Sequence, residues 1–228
     1  MYRTGKLVEM RPILYSFRRC PYAIRARIAL YYSGVQCELR EVVLKSKPPA
    51  LLSVSQKATV PVMLLNNQAS GDARLIEESI EIVEWALSQS DPDGWLDYSI
   101  EHELIKECDD RFKYWLDRYK YADRFTENTQ EYYFDKACDF LSKLESSLQN
   151  TCYLYSPKVS VLDIAIFPFV RQFAFVNKER FDGLPFTKLQ AWLDKLLESD
   201  LFLSVMNKYP MWVENESDLV IFGCAEPR

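Results

Sequence analysis

The stretch that most constrains this chain is a short apolar run, Ile13-Leu14-Tyr15, leading through Ser16-Phe17-Arg18-Arg19-Cys20-Pro21-Tyr22 into Ala23-Ile24-Arg25-Ala26-Arg27-Ile28-Ala29-Leu30. The apolar run reads as a strand and the last segment as a helix. Pro21 fits the first helical position, where its missing N–H costs nothing and its φ is already set. Cys20 therefore stands at the mouth of a helix. A thiolate there faces unpaired N–H groups and the positive end of the helix dipole, and Arg18 and Arg19 add charge nearby. The spacing predicts a nucleophilic sulfur with a lowered pKa. The competing reading is a small buried hydrophobe; a helix mouth is a poor place to hide a thiol. A dithiol redox motif would carry its second cysteine at position 23, where Ala23 stands. Disulfide chemistry would need an outside thiol, most simply a small-molecule one.

The rest of the chain narrows the function. With 228 residues it can bury a substantial core as one domain or two. A net charge of -5 argues against nucleic acid or an anionic membrane as the main partner. Met1 to Glu9 carries charges and no apolar h-region, so no signal peptide is expected, and no apolar stretch approaches a membrane span. Six cysteines, at 20, 37, 108, 138, 152 and 224, show neither paired nor metal-ligand spacing, so no metal site is expected. That usage suits a reducing cytoplasm. The single histidine, His102, sits among Glu101, Glu103 and Lys106 and reads as a solvated helix residue without a catalytic part.

After the Cys20 helix, Gly34 is its stop, and Cys37 to Leu44 alternates as a second strand. Lys45-Ser46-Lys47-Pro48-Pro49 is a turn, with a short helix through Ala50-Leu51-Leu52. Val60-Pro61-Val62-Met63-Leu64-Leu65 is a strand whose proline must lie at its start or on an edge. A polar turn leads to Arg74-Leu75-Ile76 as a fourth strand, and Glu78 to Leu87 is an amphipathic helix. This β-α-β, β-β-α order is thioredoxin-like. Asp91-Pro92-Asp93-Gly94 reads as a linker. Beyond it the pattern is helical and without strands: 98–121, 129–148, 161–176, 186–198 and a short stretch at 201–208. Ser160 and Asp163 form a structural capping box before a helix apolar nearly all round, the expected spine of its domain. The tail from Glu214 is expected to be loosely held.

Five motifs in this order resemble the cytosolic glutathione transferases, among them the cysteine-type members, the omega class and its bacterial relatives. They are Ser16 to Tyr22, Lys45-Ser46-Lys47-Pro48, Thr59-Val60-Pro61-Val62, Glu78-Ser79 with Ile82 and Trp85, and Ser160-x-x-Asp163. The resemblance implies a thioredoxin-like glutathione-binding domain at 10–90 and an all-helical domain at 97–228. It implies a cis Val60–Pro61 bond and a homodimer. Cys20 would form a mixed disulfide with glutathione, the co-substrate. Val60 would offer its backbone groups to the cysteinyl portion, exposed by Pro61. Glu78 would pair with the γ-glutamyl ammonium, Ser79 would hold the γ-glutamyl carboxylate at a helix N-terminus, and Lys47 would reach the glycyl carboxylate. Lys47 reads equally as a solvated loop lysine; for Glu78 the alternative is charge compensation at the helix N-terminus, which Glu77 supplies equally well, and the Ser79 neighbour favours binding.

Two departures stand out. Tyr155 occupies a position that is usually glycine in the family, and the loop between Leu65 and Arg74 is longer than usual. A second-substrate pocket is expected between the domains, lined by the 98–121 helix and the Phe173–Phe175 region. Its Phe and Tyr content suits an apolar guest, and equally a helical core. The activity implied is glutathione-dependent thiol transfer. Conjugation of glutathione to electrophiles and a non-enzymatic binding module are the alternatives.

Overall fold

The computed structural model describes residues 11–66 and 73–223. The turn between Leu65 and Arg74, expected to be longer than usual, lies outside them, as does Cys224.

Two lobes share one helix. Strand β1 (Ile13–Ser16) runs parallel to β2 (Cys37–Glu41), Leu14 beside Leu39, and α1 (Pro21–Tyr32) is the crossover. Helix α1 stops where Gly34 takes φ +68°, a conformation that glycine adopts without penalty. Strand β2 ends at Glu41, short of Leu44. Val42 still donates to the Ser16 carbonyl, and the chain then turns so that Val43 bridges back to Ser46. After α2 (Pro49–Val54) comes the Val60–Pro61 bond, which is cis. Pro61 falls just before β3 (Val62–Asn66), clear of the ladder it has no N–H to join. β3 lies antiparallel between β1 and β4 (Ala73–Ile76), Met63 facing Leu14 on one side and Ile76 on the other. Helix α3 (Ser79–Gln89) packs beside α1.

Asp91 to Gly94 is clamped rather than slack. The Asp91 carboxylate accepts from the Tyr32 hydroxyl and from the N–H groups of Trp95 and Leu96, and the Tyr32 and Trp95 rings stack 3.5 Å apart.

The expected helix over 98–121 is shorter and irregular. Helix α4 (Glu103–Glu107) passes through a π-helical turn, Cys108–Phe112, into α5 (Lys113–Lys120). His102 caps α4, its Nδ1 accepting from the Leu104 N–H at 3.2 Å. Helices α6 (Gln130–Ser147), α7 (Val161–Ala174), α9 (Thr187–Leu197) and α10 (Asp200–Val205) follow the expected pattern. A short α8 (Lys178–Asp182), started by the Asn177 side chain, was not foreseen.

Helix α7 is the spine. Twelve of its side chains are buried, and Ser160 and Asp163 cap it reciprocally. The fully buried Asp163 also accepts from Leu154 N–H at 3.0 Å and Trp192 Nε1 at 2.8 Å. Burial nonetheless pushes its carboxyl pKa up.

The absence of strands beyond the linker is corrected by the structure. Ile221–Phe222 forms β5, antiparallel to β2, giving the sheet order β4-β3-β1-β2-β5. Trp212 is fixed as well, its N–H donating to the Glu41 carbonyl while Arg40 lies 4.3 Å over its ring. No helix among the described residues is long and apolar enough to cross a membrane.

Two substitutions test this reading. Asp163→Ala strands four buried donors, the Ser160 hydroxyl among them, and unfolding should show a loss of about 3 kcal/mol or more. Tyr155 has φ +55° and is half exposed. Tyr155→Gly removes left-handed strain of roughly 1–2 kcal/mol against a smaller entropic cost, so the denaturation midpoint should rise.

Candidate active site

One cavity of about 960 Å³ opens between the lobes, and Cys20, Lys47, Val60, Pro61, Glu78 and Ser79 all line it. Cys20 is the N-cap of α1, half-buried. Its Sγ donates to the Val60 carbonyl at 3.4 Å, while the N–H groups of Tyr22 and Ala23 point at the sulfur.

The expected lowered thiol pKa is not what the structure gives. Burial pushes the Cys20 thiol up, and this outweighs the helix N–H groups and the positive charges nearby. Those charges are also not the expected ones. Arg18 turns away, its backbone N–H held by Glu41 and its guanidinium reaching the Met206 carbonyl, and Arg19 lies over the Phe17 ring. The cations that favour the thiolate are Lys113 and Lys120, on a helix of the second lobe.

Ser79 is buried at the first turn of α3. Arg25 donates to its Oγ at 3.3 Å, which leaves the hydroxyl proton free to turn outward to an acceptor. The same guanidinium grips both Asp109 oxygens, at 2.9 and 2.7 Å, and the Ala165 carbonyl. Arg27, equally buried, holds Ser16, Val205 and Glu41. Glu78 is paired with Lys57, another cavity residue. Glu77 is engaged elsewhere, accepting from Ser55 Oγ at 2.5 Å, so Glu78 is the carboxylate of the two with an exposed, exchangeable partner.

The second-lobe wall differs from expectation. Its residues are Asp109, Asp110, Lys113, Asp117, Lys120 and Tyr121, with Gln172 beyond. Phe173 belongs to the core, packed on Phe112, Tyr119 and Phe134, and the exposed Phe175 is not in the lining. The wall is charged, not apolar. The sequence reading also missed Arg25 and Lys57. The one available signal for the wall was the three- and four-residue spacing of Asp109, Lys113, Asp117 and Lys120, which puts them on one helix face.

Residues 14–93 match the family described as glutathione S-transferase, N-terminal domain, and residues 109–200 match glutathione S-transferase, C-terminal domain. The chain belongs to the glutathione transferase superfamily. It is similar to glutathione S-transferase L2, chloroplastic, of Arabidopsis thaliana, at 26% identity over 214 residues. That alignment covers 90% of this chain and 66% of the relative, so the chain spans just under two thirds of its length. Among solved structures, a glutathione transferase family member from Pseudomonas fluorescens, with two glutathione bound, superposes with a TM-score of 0.74 at 19% identity. The match covers 89% of this chain and 95% of that one. A glutathione transferase from Pseudomonas putida, with one glutathione disulfide bound per subunit, gives 0.72 at 19% identity, covering 89% and 93%. These likenesses establish the glutathione transferase fold. No cluster of metal-ligating side chains occurs among the described residues.

A prediction follows from the charges around the sulfur. Because burial raises the thiol pKa, iodoacetamide should alkylate the ligand-free protein at Cys20 slowly at neutral pH. The rate should climb with pH, with its midpoint above the ~8.5 of a free cysteine. Lys113→Gln removes a charge that favours the thiolate and should move that midpoint further up.

Proposed function

We propose that this protein is a cysteine-type, omega-like glutathione transferase acting as a glutathione-dependent thiol transferase. The observation that carries the reading is the placement of Cys20. It stands at a helix mouth, beneath Tyr22 and Ala23 N–H groups, in one cavity with Lys47, Val60, Pro61, Glu78 and Ser79.

Glutathione lies with its γ-glutamyl carboxylate on Ser79 and the α3 N-terminus, its ammonium on Glu78 in exchange for Lys57, and its glycyl carboxylate toward Lys47. Its cysteinyl N–H takes the Val60 carbonyl. That carbonyl is the acceptor the resting Cys20 thiol uses, so binding displaces the thiol's hydrogen bond. The groups that favour the thiolate, the Tyr22 and Ala23 N–H groups with Lys113 and Lys120, are then no longer opposed by that hydrogen bond. The thiolate attacks the glutathione sulfur of a mixed disulfide, the S–S bond breaks, and the other thiol leaves. A second glutathione thiolate then attacks the Cys20–glutathione disulfide, releasing glutathione disulfide and restoring Cys20.

Residues 10–90 supply the glutathione side and 97–228 the second-substrate side. A cytoplasmic homodimer is the working assembly, as symmetric pairs are the commonest oligomers. Conjugation ranks second. It needs a hydroxyl to hold the glutathione thiolate, and Tyr22 lines the cavity. Tyr15 and Ser16 are engaged by Arg40 and Arg27. A binding module that holds glutathione without chemistry ranks third.

Intact-protein mass after exposure to glutathione disulfide tests the assignment. Wild type should gain one glutathione, and Cys20→Ser none, with loss of at least 10³-fold in thiol-transfer rate. Equal modification of both proteins, or retained transfer by Cys20→Ser, would overturn it.

A further inference from the structure

The cleft is larger and more charged than one tripeptide requires. Its volume lies at the upper end of the ~300–1,000 Å³ span of small-molecule sites. Opposite the Val60, Glu78 and Ser79 side, the π-turn and α5 carry Asp110, Lys113, Asp117 and Lys120 into it. Spacings of three and four residues stack these side chains on one face, alternating in sign along the helix.

This face is not an ordinary solvated surface. The Lys113 side chain is only 16% exposed, sunk into the cleft wall, and pairs with Asp117. Its ammonium also lies 5.9 Å from the centroid of the Tyr22 ring, another cavity residue two positions from Cys20. An apolar guest laid on this wall would strip water from Asp110, Lys113 and Asp117 and return nothing. A guest carrying both an ammonium and a carboxylate would exchange those hydration shells for opposite charges.

We propose that Asp110, Lys113, Asp117 and Lys120 form a subsite for an amino-acid or small peptide thiol, presented as its mixed disulfide with glutathione. The inference rests on the thiol-transfer reading and names the leaving thiol. The ammonium of that thiol lies against Asp110 and Asp117, and its carboxylate against Lys113 and Lys120. Cys20 attacks the glutathione sulfur, and the S–S bond breaks with its electron pair on the departing sulfur. That sulfur takes a proton from water, and glutathione later reduces the Cys20 disulfide. The net reaction converts the mixed disulfide and one glutathione into glutathione disulfide and the free zwitterionic thiol. Lys113 and Lys120 thus select the leaving group with the same charges that favour the attacking thiolate.

The test compares two mixed disulfides with the same glutathione half, one with cysteine and one with uncharged 2-mercaptoethanol. The readout is the ratio of their kcat/KM values, in which any change in the reactivity of Cys20 cancels. Wild type should favour the cysteine disulfide by about tenfold, the size expected of two partly exposed charge pairs. Asp117→Asn and Lys113→Gln should each cut that ratio about threefold or more, and Lys113→Arg should restore it. Turnover of both disulfides at equal kcat/KM, or a ratio unmoved by both variants, overturns the inference and leaves the thiol-transfer reading standing. Turnover of neither disulfide, with no adduct on Cys20, overturns both.

Discussion

A guanidinium without solvent contact joins the two lobes of this protein. Arg25 rises from the first lobe's central helix and spends its fork on an Asp109 carboxylate, an Ala165 carbonyl and the Ser79 hydroxyl. A planar group with five donors makes the five bonds found here, both Asp109 oxygens included; an ammonium has only three donors. Burying such a charge is costly unless every partner is in place, and losing one strands the rest. One side chain thus ties α1 to both the π-turn and α7. Because Ser79 is one of its partners, the anion-binding end of the cleft and the charged wall are built on the same fixture.

How legible this was from sequence depended on how local the cause was. The strand–loop–helix around Cys20, the α7 capping box and the Gly34 stop follow from neighbouring residues, and each appears where the pattern puts it. The six motif-spaced residues of the expected site converge on one cavity although they come from four separate places in the chain. The π-turn was invisible, because one extra residue in a helical turn leaves hydrophobic periodicity almost unchanged. Arg25 and Arg27 read as helix formers; only the second lobe, packed against α1, turns them into buried connectors. The charged wall was hidden for the opposite reason. Alternating charges on a helix read as a solvated face, and what makes them a lining is the lobe opposite.

The sulfur shows the same limit in electrostatic terms. Position at a helix mouth is a sequence property and lowers a thiol pKa; burial is a property of the assembled fold and raises it. Here burial wins, and the compensating charges come from a helix some ninety residues away in the chain. A resting thiol is the protected form of such a cysteine. Its proton rests on the Val60 carbonyl, on the strand-entry segment that faces the cavity, so the chemistry of the site is tied to whether that carbonyl is occupied.

The C-terminal strand has a consequence for how the molecule behaves in company. Without β5 the long edge of β2 would present unpaired N–H and C=O groups, an open template on which another chain can add. Residues 221–222 cap part of that edge, and Trp212 lies against the adjoining Glu41 carbonyl. The seal closes at Gly223. There φ is +92° and the backbone passes so near the Val35 carbonyl that no side chain fits. Residues 212–223 thus shield this edge of the sheet from another chain, and a single larger residue at the closing point would reopen it.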